Sequence, residues 1–322
     1  MLHIKVPATS ANMGPGFDTI GMAFQLYNHL WVEPSDKELE IIFKRNMGHY
    51  LPANKTNLIY RTIQQFYKEY LPRTPVPGLR LVQEDYIPPT RGLGSSAACI
   101  VAGLLAANHI SGLNLSREKL IDLAAGIEGH PDNSTPALTG GIAVGVMKDK
   151  SIKSTDGSLS EMEHLEYIKL DGVDFSRLSF AVMIPDFPLS TEKARQVVPD
   201  SFSRHDAVFN ASRTALLTAA FLTGDFSKLS FAMDDRFHQP YRSSLVPDMD
   251  EICARARELG ATAVFLSGAG PTLIAVMVDG DNDLFKSNMS AYLNQLAQKW
   301  DFVYLAPDLE GASIQDEEVK IC

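Results

Sequence analysis

The stretch Pro88–Ala98, PPTRGLGSSAA, constrains this chain more than any other. Its two prolines and two glycines forbid regular structure as far as Gly94, and an apolar run from Ala97 to Ala107 follows. The pattern predicts a glycine-rich turn that feeds directly into a long helix over about Ser96–Ile110. Gly92 and Gly94 let the backbone come close to a ligand with no side chain in the way. Ser95 and Ser96 stand where an N-cap belongs. Unpaired N–H groups and the helix dipole make such an entrance attractive to an anion, above all a phosphate. The segment is not a P-loop, since GxxxxGK[ST] is absent. It is no Rossmann fingerprint either, because βαβ flanks and a well-placed acidic residue are missing.

Two more glycine-dense segments accompany it. Pro7–Gly21, PATSANMGPGFDTIG, is polar, small and turn-forming, with Asn12 and Asp18 set among glycines. Leu266–Ala275, LSGAGPTLIA, reads as a turn between two strands. Three such loops in one chain point to one shared site. Around them, apolar alternation predicts strands at Leu26–Val32, Glu38–Phe43, Leu79–Glu84, Leu178–Ile184, Ala263–Leu266, Thr272–Val278 and Phe302–Leu305. Helices are predicted over Thr56–Tyr70, with Thr56 as cap, and over Arg117–Glu128, capped by Ser116. Three more are predicted over Asp206–Leu222, Asp248–Leu259 and Leu284–Gln298. Strands and helices mix without regular alternation, which indicates an α+β fold. A length of 322 residues suggests about two domains. The polar, Ser-rich segment Lys148–Glu163 divides them into 1–163 and 164–322.

Charge and cysteines narrow the class of partner. Lys plus Arg is 29 against 39 for Asp plus Glu, a balance of −10 that argues against a nucleic-acid binder. The most apolar helical stretch is far shorter than the ~18 residues of a membrane span. No basic segment followed by an apolar run opens the sequence, so a secretory signal is not expected. Cys99, Cys253 and Cys322 are scattered and in no CxxC spacing, which suggests a reducing cytoplasm without disulfides or a zinc site.

The three loops resemble the three motifs of the GHMP small-molecule kinases, PPTRGLGSSAA almost residue for residue with the phosphate-binding second motif. PATSANMGPGFDTIG, EGHPDNSTPALTGG (Glu128–Gly141), STEKARQVVP (Ser190–Pro199) and HQPYRSSLVP (His238–Pro247) are similar to the branch of that family that acts on homoserine. The match spans Val6 to about Val278. It implies a two-domain GHMP kinase fold, with an N-terminal ribosomal-protein-S5-like domain and a C-terminal ferredoxin-like domain. The implied activity is ATP-dependent phosphorylation of the side-chain hydroxyl of L-homoserine, a step toward threonine. Rival readings are another kinase of the family, with mevalonate or a diphosphocytidyl polyol as acceptor, and a non-catalytic nucleotide or amino-acid sensor. The partners implied are small molecules, ATP and homoserine, with no nucleic acid and no membrane; members of the family often form homodimers.

The resemblance also assigns residues. Pro89, Arg91, Gly92, Leu93, Gly94, Ser95, Ser96 and Ala97 would surround the ATP phosphates. Ser96, with Ser95 as the competing choice, and Glu128 would hold Mg2+, a cation content with few protein oxygens and several waters. Only three residues separate Glu128 from Asp132, where other relatives carry a longer insert. Asn12, Asp18, His130 and Asp132 would meet the amino group and hydroxyl of the acceptor, and Arg195 and Arg242 its carboxylate through parallel hydrogen bonds. Asp132, Asn12 and Arg195 are the catalytic candidates, Asp132 orienting substrate before acting as a base. Asn57 is open to two readings, an adenine contact or, with Thr56, an ordinary helix cap.

Overall fold

The computed structural model describes residues 1–45, 51–148, 165–280 and 282–316, whose strands form two sheets. The chain begins with β1 (Leu2–Ala11), β2 (Ile20–Pro34), β3 (Leu39–Arg45), α1 (Leu58–Tyr70) and β4 (Leu79–Glu84). Next come α2 (Ser95–Ser111), α3 (Arg117–Glu128), α4 (Ser134–Thr139), β5 (Ile142–Met147) and β6 (Leu165–Lys169). The second half contains β7 (Leu178–Pro185), α5 (Thr191–Gln196), α6 (Arg204–Thr223), α7 (Leu229–Ala232), α8 (Gln239–Arg242) and α9 (Met249–Glu258). It ends with β8 (Ala263–Leu266), β9 (Leu273–Val278), α10 (Asn282–Leu293), β10 (Trp300–Leu305) and β11 (Ser313–Asp316).

The first sheet has the order β11-β1-β2-β4-β3, with β5 on β2 and β6 on β5. Only β3 and β4 run parallel, joined through α1. The second sheet, β10-β7-β9-β8, is antiparallel, so the unit β7–α6–β8–β9–α10–β10 has the ferredoxin-like plan. The boundary expected within Lys148–Glu163 lies, beyond Lys148, outside the described residues. By sheet membership, β6 and the late strand β11 stand with the first sheet.

Helix α2 shows why the fold closes around the loop. Every residue from Ala97 to Ala107 is buried, so the helix is apolar on all sides, as a central helix must be. Its small side chains let α1, α3, α4 and β1 pack around it. Strand β1 was not expected, because Val6–Ala11 is buried on both faces and shows no alternation. The turn-forming reading of Pro7–Gly21 therefore holds only for residues 12–19. The short β5, β6 and β11 and helix α4 also went unpredicted, and the helix expected over Leu284–Gln298 stops at Leu293. Thr56 is not the cap of α1; Asn57 is, its side chain accepting from the Ile59 N–H at 3.0 Å. Among the described residues no helix is long and apolar enough to cross a membrane. Cys99 and Cys253 are buried free thiols; Cys322 lies outside the described residues.

One buried acid has a consequence for stability. Asp85, just after β4, is 4% exposed, and its Oδ2 has no hydrogen-bond partner. Burial pushes its carboxyl up to about 6. The unfolded chain releases the same proton near pH ~3.9. Between those values the folded state binds more protons, so stability falls as pH rises and stays reduced above pH 6. Asp85→Asn should therefore melt ~3 °C above the parent at pH ~8, with the gap closing by pH ~4. Melting curves across that range check it; a constant gap would mean that charge is not the cause.

Candidate active site

The three glycine-rich loops meet at one cleft of about 860 Å³, between the two sheets' connecting segments. Hydrogen bonds between residues far apart in sequence hold them together. The Ser267 hydroxyl donates to the Gly92 carbonyl at 2.6 Å and stands 2.7 Å from the Ser10 hydroxyl. Gly268 N–H donates to Ala11 O at 3.1 Å, and Thr9 N–H to Leu93 O at 3.1 Å.

At the entrance of α2 the structure corrects the expected cap. Gly94, not Ser95 or Ser96, is the N-cap, in left-handed backbone at φ 72°, and no side chain caps the helix. The first N–H groups of a helix have no acceptor within it. Those of Ser95 and Ser96, which line the cleft, are accordingly left for a ligand, with the positive end of the dipole behind them. The glycines answer to the protein as much as to a ligand. A Cβ on Gly92 (φ 74°) would stand 2.3 Å from Ser267 O, and one on Gly94 1.9 Å from Thr9 Oγ1. Both positions demand glycine on packing and on backbone conformation.

Of the residues assigned to ATP, Arg91, Gly92, Gly94, Ser95 and Ser96 line the cleft. Pro89, Leu93, Ala97 and Asn57 do not. Leu93 and Ala97 are 1% and 0% exposed and support the loop from within. Asn57 is 2% exposed, its Oδ1 spent on Ile59 N–H and its Nδ2 on Pro52 O at 3.0 Å, so the capping reading is the correct one. Arg91 directs its guanidinium to the carbonyls of Pro185 (2.9 Å) and Asp186 (2.6 Å), strapping the loop to the end of β7. The arm of the cleft beside α1 is lined instead by Leu58, Arg61, Thr62 and Gln65, which sequence reasoning missed. They share one face of α1 at helical spacing, a pattern that also fits an ordinary solvated face.

The other end of the cleft carries the polar cluster. Asn12 is 3% exposed, donates to Gly268 O at 2.9 Å and accepts from Asp18 N–H at 3.0 Å, so it ties the first loop to the third. Asn12, Met13 and Asp18 all have positive φ, at 69°, 46° and 52°. Such backbone in residues other than glycine is strained and survives only where the surroundings hold it. Arg195 and Asp18 make a bidentate ion pair, at 2.8 and 3.0 Å, rather than facing a ligand separately. His130 Nδ1 lies 2.6 Å from Asp132 Oδ1, and Asp132 is 2% exposed. Burial works against a charge on His130. The hydrogen bond it donates to Asp132 and the charges of Asp132, Glu128 and Asp18 outweigh it, raising the imidazole to about 9. At neutral pH it is an imidazolium holding a carboxylate. Asn133, also missed although it adjoins Asp132 in the motif, lines the cleft and accepts from Thr9 Oγ1 at 2.8 Å.

Arg242 is 2% exposed, and burial, then the like charge of Arg195, lowers it to about 10. Its Nε donates to Ala194 O at 3.0 Å, and its Nη1 to Gly268 O at 3.0 Å and toward His238 Nδ1 at 3.2 Å. A guanidinium has five N–H donors. Three are spent, so the expected side-on pair of hydrogen bonds gives way to the two N–H groups of Nη2. Arg242 makes no ion pair among the described residues, yet it borders the cleft.

Two places are suited to a cation. Asp18, His130 and Asp132 bring ligand atoms within 4.8 Å of one another, but each is already paired, with Arg195 or within the cluster. Glu128 is the better fit: its Oε2 is buried without a partner. Burial pushes its carboxyl up to about 7, against the opposing charge of His130. An orphaned carboxylate oxygen on a residue that lines the same cleft as Ser95 and Ser96 suits an oxygen-loving divalent ion.

Comparison with known proteins supplies the context. Residues 57–141 match the family described as GHMP kinases N terminal domain, and residues 217–295 match GHMP kinases C terminal. The chain is 44% identical over 318 residues to homoserine kinase of Caldicellulosiruptor bescii, covering 98% of this chain and 97% of that protein. With homoserine kinase of Caldicellulosiruptor saccharolyticus it shares 43% over 318 residues, 98% and 96% of the two chains. Among solved structures it is similar to homoserine kinase from Cytophaga hutchinsonii, with a TM-score of 0.80 and 26% identity over 98% of this chain and 97% of that one.

Proposed function

The chain belongs to the GHMP kinases, in their homoserine kinase branch, and from that membership we propose that it transfers the γ-phosphoryl group of ATP to the side-chain hydroxyl of L-homoserine, giving O-phospho-L-homoserine and ADP. One observation carries this reading. The bare start of α2 and the unpaired end of Arg242 open onto the same cleft. A phosphate donor and a carboxylate-bearing acceptor thus have anchors in one space.

The chain's own groups divide the work. N–H groups of Gly92–Ser96 cradle the triphosphate, with the dipole of α2 opposing its charge. Leu58, Thr62 and Gln65 border the arm left for the nucleoside. Glu128 and Ser96 hold a divalent cation, which when bound shields the negative charge of the β- and γ-phosphates. Nη2 of Arg242 takes the acceptor's carboxylate and Asp18 its ammonium, with Arg195 swinging between Asp18 and the substrate. Asp132, steadied by His130, orients the acceptor hydroxyl. Its Oδ1 is already engaged by His130 Nδ1 at 2.6 Å, which suits it to holding the hydroxyl rather than to taking its proton. The rate therefore comes from placement and charge stabilisation, with Asn12 and Arg195 as orienting groups. The oligomer expected from the resemblance, a homodimer, joins this proposal, as does a cytoplasmic site of action.

The test is ADP release with homoserine, threonine, serine and mevalonate side by side, with the phosphorylated atom identified by phosphorus NMR. Homoserine is expected to give the highest kcat/KM and a phosphate ester on its side-chain oxygen. Faster turnover of mevalonate, or nucleotide binding with no transfer to any acceptor, would defeat the proposal.

A further inference from the structure

His238 is wholly buried between the first loop and Arg242, which makes no ion pair among the described residues. Its Nε2 lies 2.8 Å from Gly14 O and 3.5 Å from Asp235 Oδ2, and its Nδ1 3.2 Å from Arg242 Nη1. Two acceptors on one nitrogen and a cationic donor on the other permit one protonation pattern only: Nε2–H, with Nδ1 bare and accepting. Arg242 Nη1 is thereby held by Gly268 O and His238 together, while Ala194 O holds Nε. The histidine is held in turn. Asp235 accepts from the N–H groups of Phe237, His238 and Gln239 and from Asn210 Nδ2, at 2.7 to 2.9 Å, which fixes the start of α8. The ring of Phe17 stacks on His238 at 5.4 Å and faces the Arg242 guanidinium at 5.3 Å.

We propose that His238 is a positioning residue for acceptor binding: as a neutral hydrogen-bond acceptor it orients Arg242 so that the two N–H groups of Nη2 face the carboxylate subsite. This rests on the reading that Arg242 takes the acceptor's carboxylate. A guanidinium already immobilised loses less freedom when the carboxylate arrives, and that difference belongs to binding of the acceptor alone.

A double-mutant cycle tests it. His238→Ala should raise the KM for homoserine roughly five- to tenfold, leaving the KM for ATP within about twofold. In the Arg242→Leu background the same substitution should add less than about twofold, since no guanidinium remains to position. His238→Asn, whose side-chain oxygen stands near the place of Nδ1, should recover most of the affinity. If alanine leaves too little folded protein, His238→Phe, which keeps a ring against Phe17, takes its place in the cycle. Additive effects in the double variant, or parallel rises in both KM values, would overturn the proposal and leave His238 a packing residue. Failure of the parent to turn over homoserine would instead defeat the proposed acceptor. The cycle is then read with the acceptor that the parent does use, and additivity there counts equally against the histidine.

Discussion

Glu128→Gln is expected to lower kcat about 10²- to 10³-fold while changing the KM for homoserine little. The replacement keeps the volume and removes one negative charge. In the folded protein Oε2 is buried and unpartnered, and burial has pushed the carboxyl up to about 7. Such a group is unfavourable by itself and becomes favourable when a cation binds it. Its loss should be felt where phosphate charge must be neutralised, at the phosphoryl group in flight, rather than at the acceptor's carboxylate. Turnover measured across a wide Mg2+ range checks this. The variant should need more metal and still not reach the parental kcat; unchanged turnover at saturating Mg2+ would remove Glu128 from the metal site.

The second large effect is expected from Arg242→Leu: a rise of about 100-fold in the KM for homoserine, with that for ATP nearly unaltered. A charge-assisted hydrogen-bonded pair that is withdrawn from water accounts for a loss of that size. Stability should fall as well. Arg242 is 2% exposed and donates to Ala194 O, Gly268 O and toward His238 Nδ1, acceptors that a leucine leaves without that donor. The loss of those bonds, with the space left by a smaller side chain, is expected to lower Tm by a few degrees. Steady-state kinetics with each substrate varied, together with a melting curve, checks both halves. An increase confined to the KM for ATP would show that the carboxylate subsite has been misplaced.

Much of this site is readable along the chain. The turn into α2 and the burial of that helix follow from residues close together in sequence. Their cause is local: glycine and proline set backbone angles, and a run of small apolar residues must be buried. Burial of a strand was harder to anticipate: β1 alternates only over Leu2–Lys5, and both of its faces are covered from Val6 on. Asn57 and Ser95 show the same gap on a smaller scale, since either an amide or a hydroxyl can cap a helix or meet a ligand. Which one it does depends on where its neighbours stand.

Partnership between distant residues is not written in the sequence at all. Asp18 and Arg195, 177 positions apart, look like separate handles for a zwitterion and turn out to hold each other. Gly92 and Gly94 look like room for a phosphate, and they are equally room for Ser267 and Thr9. Hydrogen bonds and ion pairs vanish within a few ångströms, so only the folded chain decides which donors are already spent. Residue types along the chain pointed to a turn that attracts phosphate, and the resemblance to the GHMP kinases added the amino acid beside it. The three-dimensional arrangement was needed to single out Arg242 Nη2 and Glu128 Oε2 as polar atoms still lacking a partner.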